Sequence, residues 1–207
     1  LSNHYSFLYT HENHWVILVL MMLSGALIRQ FFVQRHAYHL GRAKNPLPFA
    51  IAGGIAVGRG RGDQLTAALS RGTYHWVLAL SSVGLSTPAV YQECDRLRAG
   101  LDIAPPQTSD ALMQSLLAAD PKAVGQALHN DLQSAACSLR PALSLVLDVG
   151  EEYGALGAIV SGSGPTVAFL VADADGAESL AQKLHIEGYR ALAASGPAAG
   201  VIIREED

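Results

Sequence analysis

Apolar and polar positions follow strand-like and helix-like patterns over the last two thirds of the chain. Tyr74–Leu80 is almost continuously apolar and has the length of a buried strand. Residues 156–160 and 167–172 form two shorter apolar runs on either side of a Gly/Ser-rich segment. This arrangement predicts a strand, a tight connection and a second strand. The apolar residues 201–203 predict a closing strand.

Helical periodicity fills the segments between these runs. Thr87 and Pro88 have the residue types of an N-cap and a first helical position, and they predict a helix through about Arg98. Asn130 and Asp131 predict a turn or cap. Four further helices are predicted over residues 109–118, 120–128 and 141–153 and from Asp173 or Asp175 onward.

The order of these elements predicts an α+β fold. One strand is followed by several helices, a strand–loop–strand unit, a helix and a last strand. Such an order suits a small antiparallel sheet that carries helices on one face. The predicted domain is residues 73–207.

The first 45 residues have a different character, with a long apolar run and flanking basic residues. Residues 15–28 are apolar apart from Ser24 and Gly25, and the run reaches residue 33 if Arg29 and Gln30 are tolerated. A membrane span needs about 20 such residues. The pattern therefore predicts an N-terminal hydrophobic helix at 15–33, for which membrane anchoring and burial in a protein core are both open.

Charge and cysteine content narrow the classes of function. Residues 63–207 carry eight Lys and Arg against seventeen Asp and Glu. This acidic balance argues against a nucleic-acid partner, which would require a basic surface. The two cysteines, Cys94 and Cys137, are isolated from each other, so we expect a reduced, cytoplasmic environment for residues 50–207 and no zinc site.

The Gly/Ser-rich segment, residues 161–166, carries the most specific chemistry. Its glycines leave the backbone open to close approach, and successive amides together with hydroxyl groups suit phosphate oxygens. A hairpin turn that uses glycine for its backbone shape explains the same residues equally well. The residues at issue are Ser161, Gly162, Ser163, Gly164, Pro165 and Thr166.

Four segments in order resemble the GHMP kinase superfamily, and within it the kinases of 4-diphosphocytidyl-2-C-methyl-D-erythritol. They extend over about 150 residues, in the order in which the family carries them. The segments are Gly53-Gly54 with residues 58–65, residues 84–91, Asn130-Asp131-Leu132 and residues 160–166.

The resemblance implies a function and a set of site residues. Kinases of this family use ATP and a divalent metal, normally Mg²⁺, to phosphorylate the 2-hydroxyl of a cytidine diphosphate conjugate in isoprenoid precursor synthesis. By this resemblance Thr87, Pro88 and Tyr91 line the cytidine pocket, where the Tyr91 ring could stack on the base or simply pack on the sheet. The late glycine motif near the reacting phosphates would comprise Ser161, Gly162, Ser163, Gly164 and Thr166.

Other parts of the family pattern do not occur in this sequence. The family's ATP loop, Pro-x-x-x-Gly-Leu-x-Ser-Ser, is missing, and residues 81–85 hold similar letters in another order. When the segment that carries the catalytic aspartate is laid on residues 45–49, its aspartate falls on Pro46. No catalytic lysine is identified, because Lys44 lies beside that segment rather than far upstream. We therefore expect a truncated or fused kinase, with residues 46–72 as the junction and a remnant of the N-terminal lobe.

Residues 1–45 resemble the membrane part of bacterial cytochrome-linked urate hydroxylase, in residues 1–5, 14–15, 25–32 and 35–36. No haem-attachment motif accompanies the likeness. Two His pairs, at residues 11 and 14 and at residues 36 and 39, have helical spacing, but without carboxylates or thiolates they predict no metal site. The sequence leaves three readings open: a kinase lobe, a membrane-tethered lobe that binds a nucleotide without phosphoryl transfer, and a chimaeric chain without a function as a unit.

Overall fold

A computed structural model describes residues 17–18, 47–59, 64–103 and 107–201. The described residues fall into two compact units. One unit contains the described residues up to 69 together with 107–109 and 197–201. The other contains residues 70–103 and 110–196.

The described residues of the first unit include a small antiparallel sheet and a short helix. Its strands, β1 (Ile17–Leu18), β2 (Ala56–Arg59) and β3 (Gln64–Ala67), pair in that order, and its helix is α1 (Leu47–Ala52). Gly53 follows α1 with a φ of +67°, and a Cβ added there would overlap the backbone of Gly200. Glycine is therefore the residue that this close approach requires.

The structure corrects part of the N-terminal prediction. Ile17 and Leu18 lie inside the predicted helix 15–33 but form a strand, because their backbone groups pair with Gly58 and Val57 of β2. The rest of that predicted helix lies outside the described residues. Within the described part of the chain, no helix is both long and apolar enough to cross a membrane.

The second unit is built on a four-stranded antiparallel sheet in the order β5–β6–β4–β7. The central strand β4 pairs with β6 and β7, so that Val77 lies between Phe169 and Ala193. The strands are β4 (Tyr74–Leu80), β5 (Gly157–Val160), β6 (Val167–Val171) and β7 (Arg190–Gly196). The helices are α2 (Thr87–Arg98), α3 (Asp110–Ala118), α4 (Pro121–Ala127), α5 (Gln133–Leu139), α6 (Ala142–Glu152) and α7 (Ala174–Ile186).

The main core lies on one face of this sheet. Side chains alternate between the faces along each strand, and Val77 and Phe169 point to the same face. They join a buried cluster with Val90 of α2, Leu143 of α6 and Leu184 of α7. This face therefore carries the larger helical layer.

Helices α3 and α4 cover the opposite face. The Tyr74 hydroxyl donates to the carbonyl oxygen of Leu116 in α3 at 3.2 Å. Gly157 of β5 lies so close to Gly125 of α4 that a Cβ on either residue would overlap the other's segment. The prediction that helices lie on one face only is wrong, and the reason is visible in β4: a strand that is apolar on both sides needs cover on both faces.

The element predictions are mostly confirmed in the second unit. Strand Tyr74–Leu80 and helix Thr87–Arg98 have the predicted bounds, but the N-cap of that helix is Ser86 rather than Thr87. The predicted caps Asp120 and Asp173 accept hydrogen bonds from Ala123 and Gly176 in their helices. The last strand among the described residues is Arg190–Gly196, which the sequence did not predict. Of the predicted closing strand 201–203, Val201 is not in a strand and residues 202–203 lie outside the described residues.

Candidate functional site

The Gly/Ser segment connects β5 to β6 as a tight loop. The Ser161 amide donates to the Thr166 carbonyl oxygen at 2.8 Å, and the Gly164 amide donates to the Ser161 carbonyl oxygen at 2.9 Å. Gly162 and Gly164 have φ values of +57° and +79°, which glycine adopts without strain. The loop therefore has the hairpin geometry that the sequence offered as one of its two readings.

The two glycines face different surroundings. A Cβ on Gly164 would lie 3.2 Å from Val160, 3.5 Å from Leu85 and 3.8 Å from Leu143. A Cβ on Gly162 would meet no heavy atom within 4 Å. The loop is thus packed against the core at Gly164 and open at Gly162, where a ligand could approach its backbone.

A hydroxyl–hydroxyl hydrogen bond joins this loop to the start of α2. The oxygens Thr87 Oγ1 and Ser163 Oγ are 2.8 Å apart, and either can be the donor. Thr87 is the first residue of α2, and the Ser86 side chain caps none of the helix amides. The structure therefore brings together two predicted site segments that are 76 residues apart in sequence.

Pro88 and Tyr91 lie on the first turns of the same helix. Pro88 is exposed at a position where a proline costs no helical hydrogen bond. Tyr91 is four residues after Thr87 and so shares its face of α2. Burial, with a smaller contribution from Cys94, raises the pKa of Tyr91 to about 12, so its phenol is neutral at physiological pH.

The turn between α4 and α5 holds the loop from its other side. Asn130 Nδ2 donates to the carbonyl oxygens of Val160 and Gly162, each at 2.7 Å. Gln133 Oε1 accepts from the Val160 amide at 2.9 Å. The sequence predicted a turn at Asn130 but not these contacts. The signal available was its place in one of the four family segments.

An ion pair fixes that turn against α2. Arg98 Nη2 lies 2.9 Å from Asp131 Oδ1, and His129 Nε2 lies 3.1 Å from the same oxygen. Partial burial favours the neutral Asp131, but the hydrogen bonds from Arg98 and His129 outweigh it and lower the pKa of the carboxyl. The turn and the helix that border the loop are therefore connected to each other as well as to the loop.

The arrangement suits an anion held by hydrogen bonds. The amides of Gly162 and Ser163 have no acceptor among the described residues, and they adjoin the hydroxyls of Thr87 and Ser163. Backbone amides of this kind bind phosphate oxygens. The described ranges contain no group of three or more His, Cys, Asp or Glu side chains that could hold a metal ion. We therefore assign no residue of this site to Mg²⁺.

Two family models match different parts of the chain. Residues 112–190 match the model described as GHMP kinases C terminal. Residues 1–57 match the model described as urate oxidase N-terminal. The likeness of the N-terminal part to that family is thus supported, whereas a membrane-bound or cytochrome-linked character is not.

Curated relatives resemble the C-terminal part strongly. A 4-diphosphocytidyl-2-C-methyl-D-erythritol kinase of Clavibacter michiganensis is 50% identical over 163 residues, which are 76% of this chain and 52% of the relative. The kinase of the same name from Nocardia farcinica is 51% identical over 158 residues, 74% of this chain and 51% of the relative. The chain spans about half the length of the curated relatives it matches.

Solved structures show the same fold. A crystal structure of 4-(cytidine 5'-diphospho)-2C-methyl-D-erythritol kinase superposes with a TM-score of 0.61 at 23% identity, over 80% of this chain and 62% of that one. Mevalonate kinase of L. major, in complex with R-mevalonate, gives a TM-score of 0.55 at 16% identity, over 71% and 50% of the two chains. The C-terminal part therefore has the α+β fold of GHMP kinases.

Proposed function

We propose that the C-terminal part of this chain is a lobe of a kinase that phosphorylates the 2-hydroxyl of 4-diphosphocytidyl-2-C-methyl-D-erythritol. The identity of about half with kinases named for that substrate supports the proposal. The observation that carries it is the Thr87–Ser163 hydrogen bond, because it connects the two segments that would touch the substrate. The lobe would serve isoprenoid precursor synthesis.

Each side chain of the site has a role that its geometry permits. The free amides of Gly162 and Ser163 would donate to diphosphate oxygens. Thr87 and Ser163 would orient each other, so that one hydroxyl can still donate to the ligand. Tyr91, as a neutral phenol on the same face of α2, would offer its ring to the cytosine base.

ATP would supply the transferred phosphoryl group, and Mg²⁺ would neutralise charge on its phosphates. Gly162 and Ser163 can bind phosphate oxygens without a metal. What these residues contribute is position, since phosphoryl transfer depends on alignment and on charge stabilisation. The Gly/Ser loop and α2 would supply the alignment.

A second candidate is a lobe that binds the cytidine diphosphate conjugate without transferring a phosphoryl group. The observation that favours it is in the sequence: Pro46 stands where the family pattern has an aspartate, and the ATP loop does not occur in residues 1–207. We expect this chain alone to bind the conjugate and to show no turnover.

The purified 207-residue chain tests both candidates in one experiment. Cytidine 5'-diphosphate and the methylerythritol conjugate are titrated by calorimetry, and ADP release is then followed with ATP and Mg²⁺. We expect saturable binding below millimolar ligand, weakened by S163A and left unchanged by S179A on the exposed part of α7. No saturable binding would contradict the proposed site, and turnover of about 1–100 per second would contradict the non-catalytic candidate.

A further inference from the structure

We infer that Asn130 is a positioning residue that aims a backbone amide of the Gly/Ser loop at a diphosphate ligand. The inference rests on the proposed function and deepens it. Asn130 itself is half-buried in the turn between α4 and α5 and is 30 residues or more from the loop in sequence. Its side chain would act on the ligand only through the loop.

All three hydrogen-bonding groups of the Asn130 carboxamide are engaged. Its two N–H groups donate to the carbonyl oxygens of Val160 and Gly162, each at 2.7 Å. Its Oδ1 accepts from the Leu132 amide at 3.0 Å. A carboxamide has two N–H donors and one acceptor oxygen, so hydrogen bonds at both of its ends fix the orientation of the side chain.

Peptide planarity passes this orientation on to the loop. The Gly162 carbonyl and the Ser163 N–H belong to one trans peptide group, in which they point in opposite directions. Because Asn130 holds the Gly162 carbonyl, the Ser163 N–H must point away from Asn130. That amide has no acceptor among the described residues, so it is left for a ligand.

The hydrogen bonds from Asn130 also keep the carbonyl dipoles of Val160 and Gly162 turned away from a bound anion. A free Gly162 carbonyl could turn outward, since a Cβ on that glycine would meet nothing within 4 Å and the residue is exposed. An outward carbonyl would repel phosphate oxygens. Gln133, which accepts from the Val160 amide at 2.9 Å, holds the opposite side of the Val160 residue and limits its rotation.

Two variants separate this role from the turn that Asn130 also forms. N130S and N130D each keep an oxygen that can accept from the Leu132 amide, but neither has the two donors. Q126A is the matched control, because Gln126 is an exposed carboxamide on α4, outside the turn and the loop. The probe is cytidine 5'-diphosphate, followed by calorimetry and by ¹H–¹⁵N correlation spectra of the full chain.

We expect N130S to weaken the affinity about tenfold, which corresponds to about 1.4 kcal/mol, and N130D to weaken it more. The ligand-induced shifts of the Gly162 and Ser163 amides should disappear in N130S, while the spectrum of the β4 amides stays in place. Q126A should bind as the wild type does. Unchanged affinity and unchanged loop shifts in N130S would overturn the inference.

Failure of the proposed function gives a different result. If the wild type binds no cytidine 5'-diphosphate, that function fails, and the positioning role is judged on the loop alone: N130S must still speed amide exchange at Gly162 and Ser163 about tenfold. If neither variant folds, the wild-type Asn130 carboxamide protons decide. Slow exchange supports the inference, and exchange as fast as that of an exposed asparagine overturns it.

Discussion

Replacing Gly150 with alanine tests how closely α6 packs on the sheet. A Cβ at this buried position would lie 2.7 Å from Phe169 Cζ and nearer still to two other ring atoms. Phe169 has no exposed surface, so its ring has no free space to enter. Overpacking costs about 1–3 kcal/mol, and contact with three ring atoms places this case near the upper value. Alanine recovers about 1 kcal/mol over glycine within a helix.

The net expectation for G150A is a free energy of unfolding lower by about 2 kcal/mol, hence a Tm lower by about 4–8 °C. Urea unfolding and calorimetry measure both. G84A is the matched control, because an added Cβ at Gly84 meets nothing within 4 Å, and its stability should stay within about 0.5 kcal/mol of the wild type. F169L in the G150A background should recover part of the loss. A G150A protein as stable as the wild type would refute the packing argument.

Three further outcomes are expected. T87V and S163A should show a coupling of about 0.5–1.5 kcal/mol in a double-mutant cycle of urea unfolding, whereas additive effects would mean that the two hydroxyls do not bond in solution. A hydrogen bond from Arg96, and a weaker effect of one from Ser138, lower the pKa of Glu93 from 4.5 to about 2. The charged Glu93 therefore stabilises the fold above pH 4.5, and this contribution is lost as the pH falls toward 2. E93Q should flatten that acid decline in stability, and an unaltered decline would speak against the contact. Burial, and to a smaller extent Cys94, raises the pKa of Tyr91 from 10.0 to about 12. The neutral Tyr91 phenol therefore contributes to the stability of the fold below pH 10, and this contribution is lost between pH 10 and 12. Y91F should remove that part of the alkaline decline, and an identical decline in wild type and Y91F would show that Tyr91 is solvated.

The elements with strong local signals were predictable from the sequence. Strand Tyr74–Leu80 is apolar along its length, and Asp120 and Asp173 are caps that accept hydrogen bonds in their own helices. Strand Arg190–Gly196 was missed because alanine, serine and glycine give it little β propensity. It is a strand because it pairs with β4 over seven residues, and such tertiary pairing is invisible in a local pattern.

The site was also predictable only in part, because some of its contacts join residues that are far apart in the sequence. The glycines and hydroxyls of residues 161–166 stand together in the sequence, and the family resemblance pointed to Thr87. The Thr87–Ser163 bond and the hold of Asn130 on Gly162 bridge 76 and 32 residues. Contacts at such separation depend on how the helices pack on the sheet, and the pattern of residues did not fix that packing on both faces.

Mapping the bound methylerythritol conjugate on the full chain by ¹H–¹⁵N correlation spectra tests the central claim most directly. We expect saturable amide shifts at residues 161–166 and at the start of α2, with the Ser163 amide among the largest. The amides of α7 and β7 should stay in place. Saturable shifts confined to α7 and β7, or no shifts at millimolar conjugate, would contradict the assignment of the Gly/Ser loop as the diphosphate site.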